Sequence, residues 1–436
     1  MTATATRPKR SPDSGAAEDQ LASDRRGLLR LGVVVLLIVA LSMALNIGGA
    51  VLVVTAILTM IMLHEFGHFI TARWAGMKVT DFFVGFGPVL WSIKRGDTRY
   101  GVRVLPAGGY VRVIGMNSLE EVAPEDEPYT YRAKNYWQRL RFASAGSAMH
   151  FVIAFVLMVV LLAGFGVENM DVPPTTTLGS VTKSFGTDGK LAPAFAAGIR
   201  AGDKVVGVDG QSVSSWKYVS DKIHDSNGRR LLLSVERDGR RFSVPVTPVD
   251  PRTAEQRRAD GVADMGFVGI QPRAQLDKPA LPAAVWRAGF ELKDITVQST
   301  QALFGLFTPE SAKNYGSQLT KSGPADPETE GNRLLSPVGI ARIADASAEN
   351  GVASVLFLLI AINIFVGIFN MVPLPPFDGG HVAVATYEAI RSRIGKRRHM
   401  ADMNKLLPVA YVVVTALFLL SISALWLDIV HPFKLG

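Results

Sequence analysis

Residues 50–71 read AVLVVTAILTMIMLHEFGHFIT. From Ala50 to Leu63 no side chain is ionisable, and the stretch is near the ~20 residues a helix needs to cross a bilayer core. His64-Glu65-Phe66-Gly67-His68 then interrupts it. In a helix, the i,i+4 spacing sets both imidazoles on one face, about one turn apart. That is the geometry for two zinc ligands. Glu65 falls on the adjacent edge, where it can take a proton from a metal-activated water. Ionisable side chains inside a span are costly. The bland alternative, snorkelling or bonding to neighbouring helices, does not require two histidines and a glutamate together.

The composition agrees with a membrane protein. The chain has 436 residues, 48% hydrophobic and only 19% charged, against about a quarter charged in soluble domains. This disfavours a purely cytosolic enzyme, a disordered chain and a fibrous protein. It contains no cysteine, which excludes disulfides, thiol catalysis and Cys-based metal sites. Any metal must use His, Asp or Glu. The net charge is +8, from 46 Lys+Arg and 38 Asp+Glu. In a membrane protein such an excess sets topology, and no nucleic-acid partner is expected.

Working outward, residues 1–27 are polar and read as a disordered cytoplasmic tail. A second apolar run, 28–46, is an extra transmembrane helix, separated from 50–71 by the turn Asn46-Ile47-Gly48-Gly49. Ser42-Met43-Ala44 leaves a cleaved signal peptide as the alternative, with an unusually long n-region. Further spans are expected at 143–164, at 352–390 (apolar to about 372) and at 406–427. Arg25 and Arg26 precede the first span and Arg30 lies in its first turn, Arg73 and Lys78 follow the second, Arg139 and Arg141 precede the third, and Arg397 and Arg398 lie between the last two. Five spans with the N-terminus inside put all these clusters in the cytoplasm and residues 165–350 outside. The segment 72–142 is β-rich, with strand-like pieces at 83–88, 100–104 and 107–113, and is placed at the cytoplasmic face of the membrane. The region 178–249 is a compact β-rich module with turns at Asp209-Gly210 and Asp238-Gly239. The rest of 250–350 reads as a linker (charged over 250–264), an amphipathic helix over 281–308 and a mobile Gly/Pro/Ser-rich stretch over 309–334.

A hydrolytic zinc site has three protein ligands and one open position. The best third candidate lies in Asn370-Met371-Val372-Pro373-Leu374-Pro375-Pro376-Phe377-Asp378-Gly379-Gly380. The prolines break the helix there and present Asp378 from an irregular segment, tolerable at membrane depth only beside a buried cavity. The alternative is that Asp378 caps the following helix. His381 is too close to Asp378 in sequence to count as a ligand, while His224, His399 and His431 fall in predicted loops.

His64-Glu65-x-x-His68 followed by Asn370-x-x-Pro373-x-Pro375-x-x-Asp378-Gly379 resembles the site-2 protease family of intramembrane zinc proteases, in particular its actinobacterial anti-sigma-factor-cleaving branch. Val84-Gly85-Phe86-Gly87-Pro88, Pro106-x-Gly108-Gly109 and Ser336-Pro337-Val338-Gly339-Ile340 look like further family segments. Pro193 to Gly210 (PAFAAGIRAGDKVVGVDG) resembles a bacterial PDZ domain. The resemblance implies a polytopic α-helical membrane protein: a four-helix protease core plus one extra N-terminal helix, with a PDZ domain inserted outside and membrane-associated β segments inside. It implies one Zn2+ held by His64, His68 and Asp378, Glu65 as general base, and Asn370 positioning substrate or stabilising the oxyanion. It also implies single-span substrates such as anti-sigma factors, cut after a first extracytoplasmic cleavage, and peptide termini bound by the PDZ domain. The expected location is the bacterial cell membrane.

Two features depart from the family pattern. Gly146-Ser147-Ala148-Met149-His150 stands where family members often carry Gly-Pro-x-x-Asn, and His150 reads as a structural histidine. The tail and first span are extra. Two rival functions are a membrane-tethered PDZ receptor with a non-catalytic metal site and a metal transporter. Glu65 argues against the first, and the single three-ligand cluster against the second.

Overall fold

The structure is a computed structural model that describes residues 48–116, 120–168, 172–185, 189–251, 265–320, 334–349, 351–396, 399–401 and 403–430, with isolated positions between 27 and 40. In chain order it has α1 (Gly48–Trp74), β1 (Val79–Arg95), β2 (Thr98–Val113) and α2 (Tyr136–Val160). Next come β3 (Leu178–Val181), β4 (Lys204–Val208), β5 (Gln211–Ser212), α3 (Trp216–His224), β6 (Leu231–Arg237), β7 (Arg240–Val246) and β8 (Ile270–Pro272). Six helices close the chain: α4 (Leu281–Gly305), α5 (Pro309–Thr320), α6 (Pro337–Glu349), α7 (Val352–Asn370), α8 (Asp378–Gly395) and α9 (Leu407–Val430). The chain divides into two compact units, 162–284 and the remainder.

Among the described residues four helices are long and apolar enough to cross a membrane: Val54–Trp74, Tyr136–Phe165, Val352–Asn370 and Leu407–Val430. The tail at 1–27 and the span expected at 28–46 lie largely outside the described residues.

Three expected boundaries are corrected. The third span begins at Tyr136 rather than 143 because Asn135 and Gln138 form a reciprocal capping box, with Gln138 N donating to Asn135 Oδ1 (2.9 Å) and Asn135 N to Gln138 Oε1 (3.1 Å). The element expected over 352–390 is two helices, α7 and α8, parted by 371–377. Pro373, Pro375 and Pro376 cannot continue a helix. The stretch 309–334, expected to be irregular, holds α5. Thr308 Oγ1 accepts from Ser311 N (3.3 Å), Pro309 takes the first helical position and Glu310 faces the positive end.

In the larger unit, α2 is the central helix, packed against α1, α7 and α8. Its buried residues Ala143, Ser147, His150, Ala154 and Met158 recur at three- and four-residue steps, one continuous face. Gly367 of α7 meets that face, and a Cβ there would stand 3.1–3.4 Å from Phe151, His150 and Ser147. Met60 of α1, Ala344 of α6, and Val355 and Leu359 of α7 form a second apolar cluster.

β1 and β2 make more sheet than two strands usually do. Residues 79–84 of β1 pair with 109–113 of β2 on one side and with 99–102 on the other, while 91–95 pair with 98–102. The result is a four-ribbon order, 109–113, 79–84, 99–102, 91–95. The chain turns at Gly96-Asp97, where Gly96 has φ +61°. The sheet is anchored at the helices by Ala72, Met77, Val79, Val113, Tyr131 and Phe142.

The unit 162–284 is a β-rich insert with its own core. Its antiparallel sheet has the order β7-β6-β4-β5, and β3 pairs with β8. Leu231, Leu233 and Val235 point inward between more exposed neighbours, the period-2 signature of a half-buried strand. They join Leu178, Ile199, Val205 and Val219. Each such side chain contributes about 1.5–3 kcal/mol on burial. The turns expected at Asp209-Gly210 and Asp238-Gly239 have positive φ at both residues (47° and 80°, 49° and 75°), as tight hairpins require. His224, expected in a loop, instead ends α3 and is exposed.

Candidate active site

The C-terminal half of α1 carries His64, Glu65 and His68. His64 and His68 are buried, with ring centroids 4.9 Å apart and their Nε2 atoms 3.3 Å apart. Asp378 Oδ2 lies 3.4 Å from His64 Nε2 and 3.3 Å from His68 Nε2. The three atoms form a near-equilateral triangle. A tetrahedral ion with bonds of about 2.0–2.1 Å has ligand-to-ligand edges of about 3.3–3.4 Å. The triangle thus matches one face of a zinc tetrahedron and leaves the fourth vertex open. Asp378 Oδ2 is buried without a hydrogen-bond partner, a costly state for a carboxylate oxygen unless something binds it. Among the described residues these three are the one cluster that could hold a metal ion.

Asp378 is the first residue of α8. Phe377 occupies the N-cap position, and no side chain caps the helix. The capping alternative for Asp378 therefore has no hydrogen bond in its favour.

α2 supports the triangle from the other side. His68 Nδ1 donates to the Phe142 carbonyl (2.8 Å), which leaves its Nε2 lone pair for the cluster. Gly146, one turn on, lies against both imidazoles with no room for a Cβ. His150 is buried, its ring 5.1 Å from that of His64. His150 Nδ1 donates to Asn363 Oδ1 (2.9 Å), and Asn363 Nδ2 donates to Leu359 O (2.8 Å). His150 thus ties α2 to α7 beside the cluster.

Glu65 faces the sheet. A Cβ on Gly109 of β2 would stand 2.9 Å from Glu65 Cγ, and the Val111 amide faces the Glu65 carboxylate. Residues 109–113 form an outer ribbon of the sheet, so the carboxylate sits beside a strand edge. Asn370 ends α7, half-buried, and no hydrogen bond joins its side chain to the cluster. His381 lies one turn into α8 and is not part of it.

Known proteins are similar to this chain along most of its length. Residues 52–415 match the model of peptidase family M50. The chain belongs to peptidase family M50. This is the site-2 protease family, and as a member the protein is a zinc metalloprotease. It is 35% identical over 414 residues to zinc metalloprotease Rip1 of Mycolicibacterium smegmatis, covering 89% of this chain and 98% of that one. It is 34% identical over 419 residues to Rip1 of Mycobacterium tuberculosis (89% and 99%). A putative zinc metalloprotease of Agrobacterium fabrum is 27% identical over 346 residues (77% and 84%). The M50 membership covers both halves of the triangle, from α1 through α8.

Sequence reasoning missed the supports: the Phe142 carbonyl, Asn363 and Gly109. A backbone carbonyl leaves no trace in a sequence. Asn363 does, because it is a polar residue in the apolar run of α7, where a buried amide needs a partner.

Proposed function

We propose that this M50 protease hydrolyses a peptide bond within the transmembrane segment of single-span proteins such as anti-sigma factors, in regulated intramembrane proteolysis after a first cut outside the membrane. His64, His68 and Asp378 hold the zinc ion in this reading. The observation that carries it is the 3.3–3.4 Å triangle of ligand atoms with Glu65 beside it, within a membrane-type helix. Zinc at that position supplies a Lewis acid that makes water nucleophilic near neutral pH.

Glu65 takes the proton from the attacking water and delivers it to the leaving amide nitrogen. His68 keeps its Nε2 free by donating Nδ1–H to Phe142 O. The Asn370 amide orients the substrate or donates to the developing oxyanion. A helical substrate must unwind before attack, because helical carbonyls are already bonded. The outer ribbon 109–113 offers the unwound strand a row of main-chain partners beside Glu65. The relatives named Rip1 support an actinobacterial type of enzyme. The basic residues around the spans support a cytoplasmic N-terminal tail, with the β-rich insert outside the cell membrane. The insert acts as a PDZ domain that binds peptide termini and admits only trimmed substrates.

The test uses purified protein in detergent and a tagged anti-sigma-factor span with a short external tail. Cleavage should vanish on chelation and in Glu65→Gln, while Glu65→Gln keeps stoichiometric zinc. Cleavage that survives Glu65→Gln sinks the mechanism.

A further inference from the structure

We propose that Arg139 and Glu388 form a positioning clamp for the metal site, their buried ion pair setting the rotation and axial position of α8 on α2 so that Asp378 meets His64 and His68. This rests on reading those three residues as the metal ligands. Arg139 stands on the first turn of α2, just behind the Asn135 cap, with Phe142 and Gly146 three and seven residues further on. Those two touch the histidines, so one face of α2 contacts both sides of the triangle. Arg139 Nη2 donates to Glu388 Oε2, and both side chains are almost wholly buried, 6% and 7% exposed. The other Glu388 oxygen accepts from Ala401 N (2.7 Å), and the Arg139 guanidinium lies 5.2 Å from the Tyr131 ring centroid.

Glu388 is ten residues after Asp378, so the two are about 15 Å apart along α8 at 1.5 Å per residue. The near end of α8 is seated by local turn bonds of the irregular 371–377 segment, Phe377 N to Leu374 O (3.0 Å) and Gly380 N to Phe377 O (2.9 Å). The far end, where Glu388 stands, is set by packing on α2. Tyr136 OH and Thr386 Oγ1 add a weaker contact (3.4 Å) beside the clamp. A buried ion pair contributes little net stability compared with apolar side chains of the same volume, because desolvation offsets the attraction. It does penalise any register that separates the charges. A slip of α8 along α2 would strand two buried charges and carry Asp378 away from the triangle.

The double variant Arg139→Met/Glu388→Leu removes the charges and keeps the volume. Zinc affinity is read by competition with a chromophoric chelator, and ligand geometry by the visible absorption of the cobalt-loaded protein. The clamp predicts affinity lower by about 10- to 100-fold, the range for residues that orient metal ligands, and an altered cobalt band. Because the chain has no native cysteine, spin labels at Trp137→Cys and Ile394→Cys, both exposed, report the α2–α8 distance. That distribution should shift or broaden in the zinc-free double variant. Zinc affinity within threefold of the parent, an unchanged distance distribution, or failure of the double variant to fold each overturns the clamp. Zinc binding by the parent that survives His68→Ala overturns the metal-site reading itself, and so is distinguishable.

Discussion

Gly146 of α2 lies against the imidazole of His68: a methyl group on its α-carbon would overlap that ring and the His64 ring with it. The contact makes Gly146 a steric requirement of the triangle rather than a flexibility device, since its backbone is ordinary helix. Gly146→Ala should force the two rings apart or push α2 away. The expected result is a zinc affinity at least about 10-fold lower, with helix content retained. Chelator competition and circular dichroism on the same sample check it. Unchanged affinity would mean the site is more yielding than its packing indicates.

Gly109 does for Glu65 what Gly146 does for the histidines. The Cβ of Gly109→Ala would stand 2.9 Å from Glu65 Cγ and 3.1 Å from Phe83 O, so the glutamate has to swing away. Misplacing a catalytic group by about 1 Å can cost roughly 10²-fold in rate. Gly109→Ala should therefore lower kcat by about that factor while zinc stoichiometry stays at the parent value. Metal analysis and cleavage kinetics on one preparation separate the two readouts. A variant that loses zinc as well would show that β2 supports the ligands and not only the base.

Much of this site is legible in the amino-acid sequence. His64, Glu65 and His68 declare themselves because an i,i+4 pair has only one geometry in a helix and because charge is rare in a span. Asp378 is legible as a candidate from the prolines that break the chain before it. Hydropathy misses what is polar and local: the capping box at Asn135 and Gln138 starts α2 seven residues before its apolar run, and Thr308 with Pro309 starts a helix where composition suggests a loop. The double pairing of residues 79–84 is likewise invisible, because alternation marks a strand but does not say how many neighbours it has. His150 reads as structural from sequence, and the structure joins it to Asn363 while placing it 5.1 Å from His64.

The β-rich insert carries a pH-dependent linkage. Asp203 is buried, with Oδ1 2.6 Å from Arg237 Nε and Oδ2 2.7 Å from Arg237 Nη2, and Arg200 N donates to Oδ2 (2.8 Å). Burial alone raises the Asp203 carboxyl, but the Arg237 guanidinium and the Arg200 amide outweigh it and hold the group below its ordinary value. A carboxylate depressed in the folded state contributes stability that is fully present above its unfolded pKa of about 3.9 and is lost as pH falls through the folded value. Asp203→Asn should destabilise the insert by roughly 2 kcal/mol at pH 7, since the buried side chain loses its charge-assisted hydrogen bonds to a partly exposed guanidinium. The gap from the parent should narrow as pH drops below about 4. Amide exchange of β6 in the full-length protein, followed from pH 3 to 7, tests both parts. A gap that stays constant across that range would remove Asp203 as its source.

Entry to and exit from the insert are adjacent, which makes its removal a clean experiment. Val167 pairs with Asp277 and Glu168 with Leu276 in an antiparallel bridge, so the chain leaves the unit beside where it came in. Replacing residues 172–273 by a short Gly-Ser linker should keep that bridge, because a short flexible loop spans neighbouring strands at little entropic cost. If the insert filters substrates by size, the shortened protein cleaves a trimmed single-span substrate within about threefold of the parent rate, about 0.65 kcal/mol in the barrier. It should also newly cleave the same substrate with its folded external domain attached, which the parent leaves intact. Side-by-side cleavage of trimmed and untrimmed substrates, with Glu65→Gln as the blank, is the measurement. An untrimmed substrate that stays uncut by the shortened enzyme would place the selection step in the membrane-embedded unit, where the strand edge at 109–113 is the next element to test.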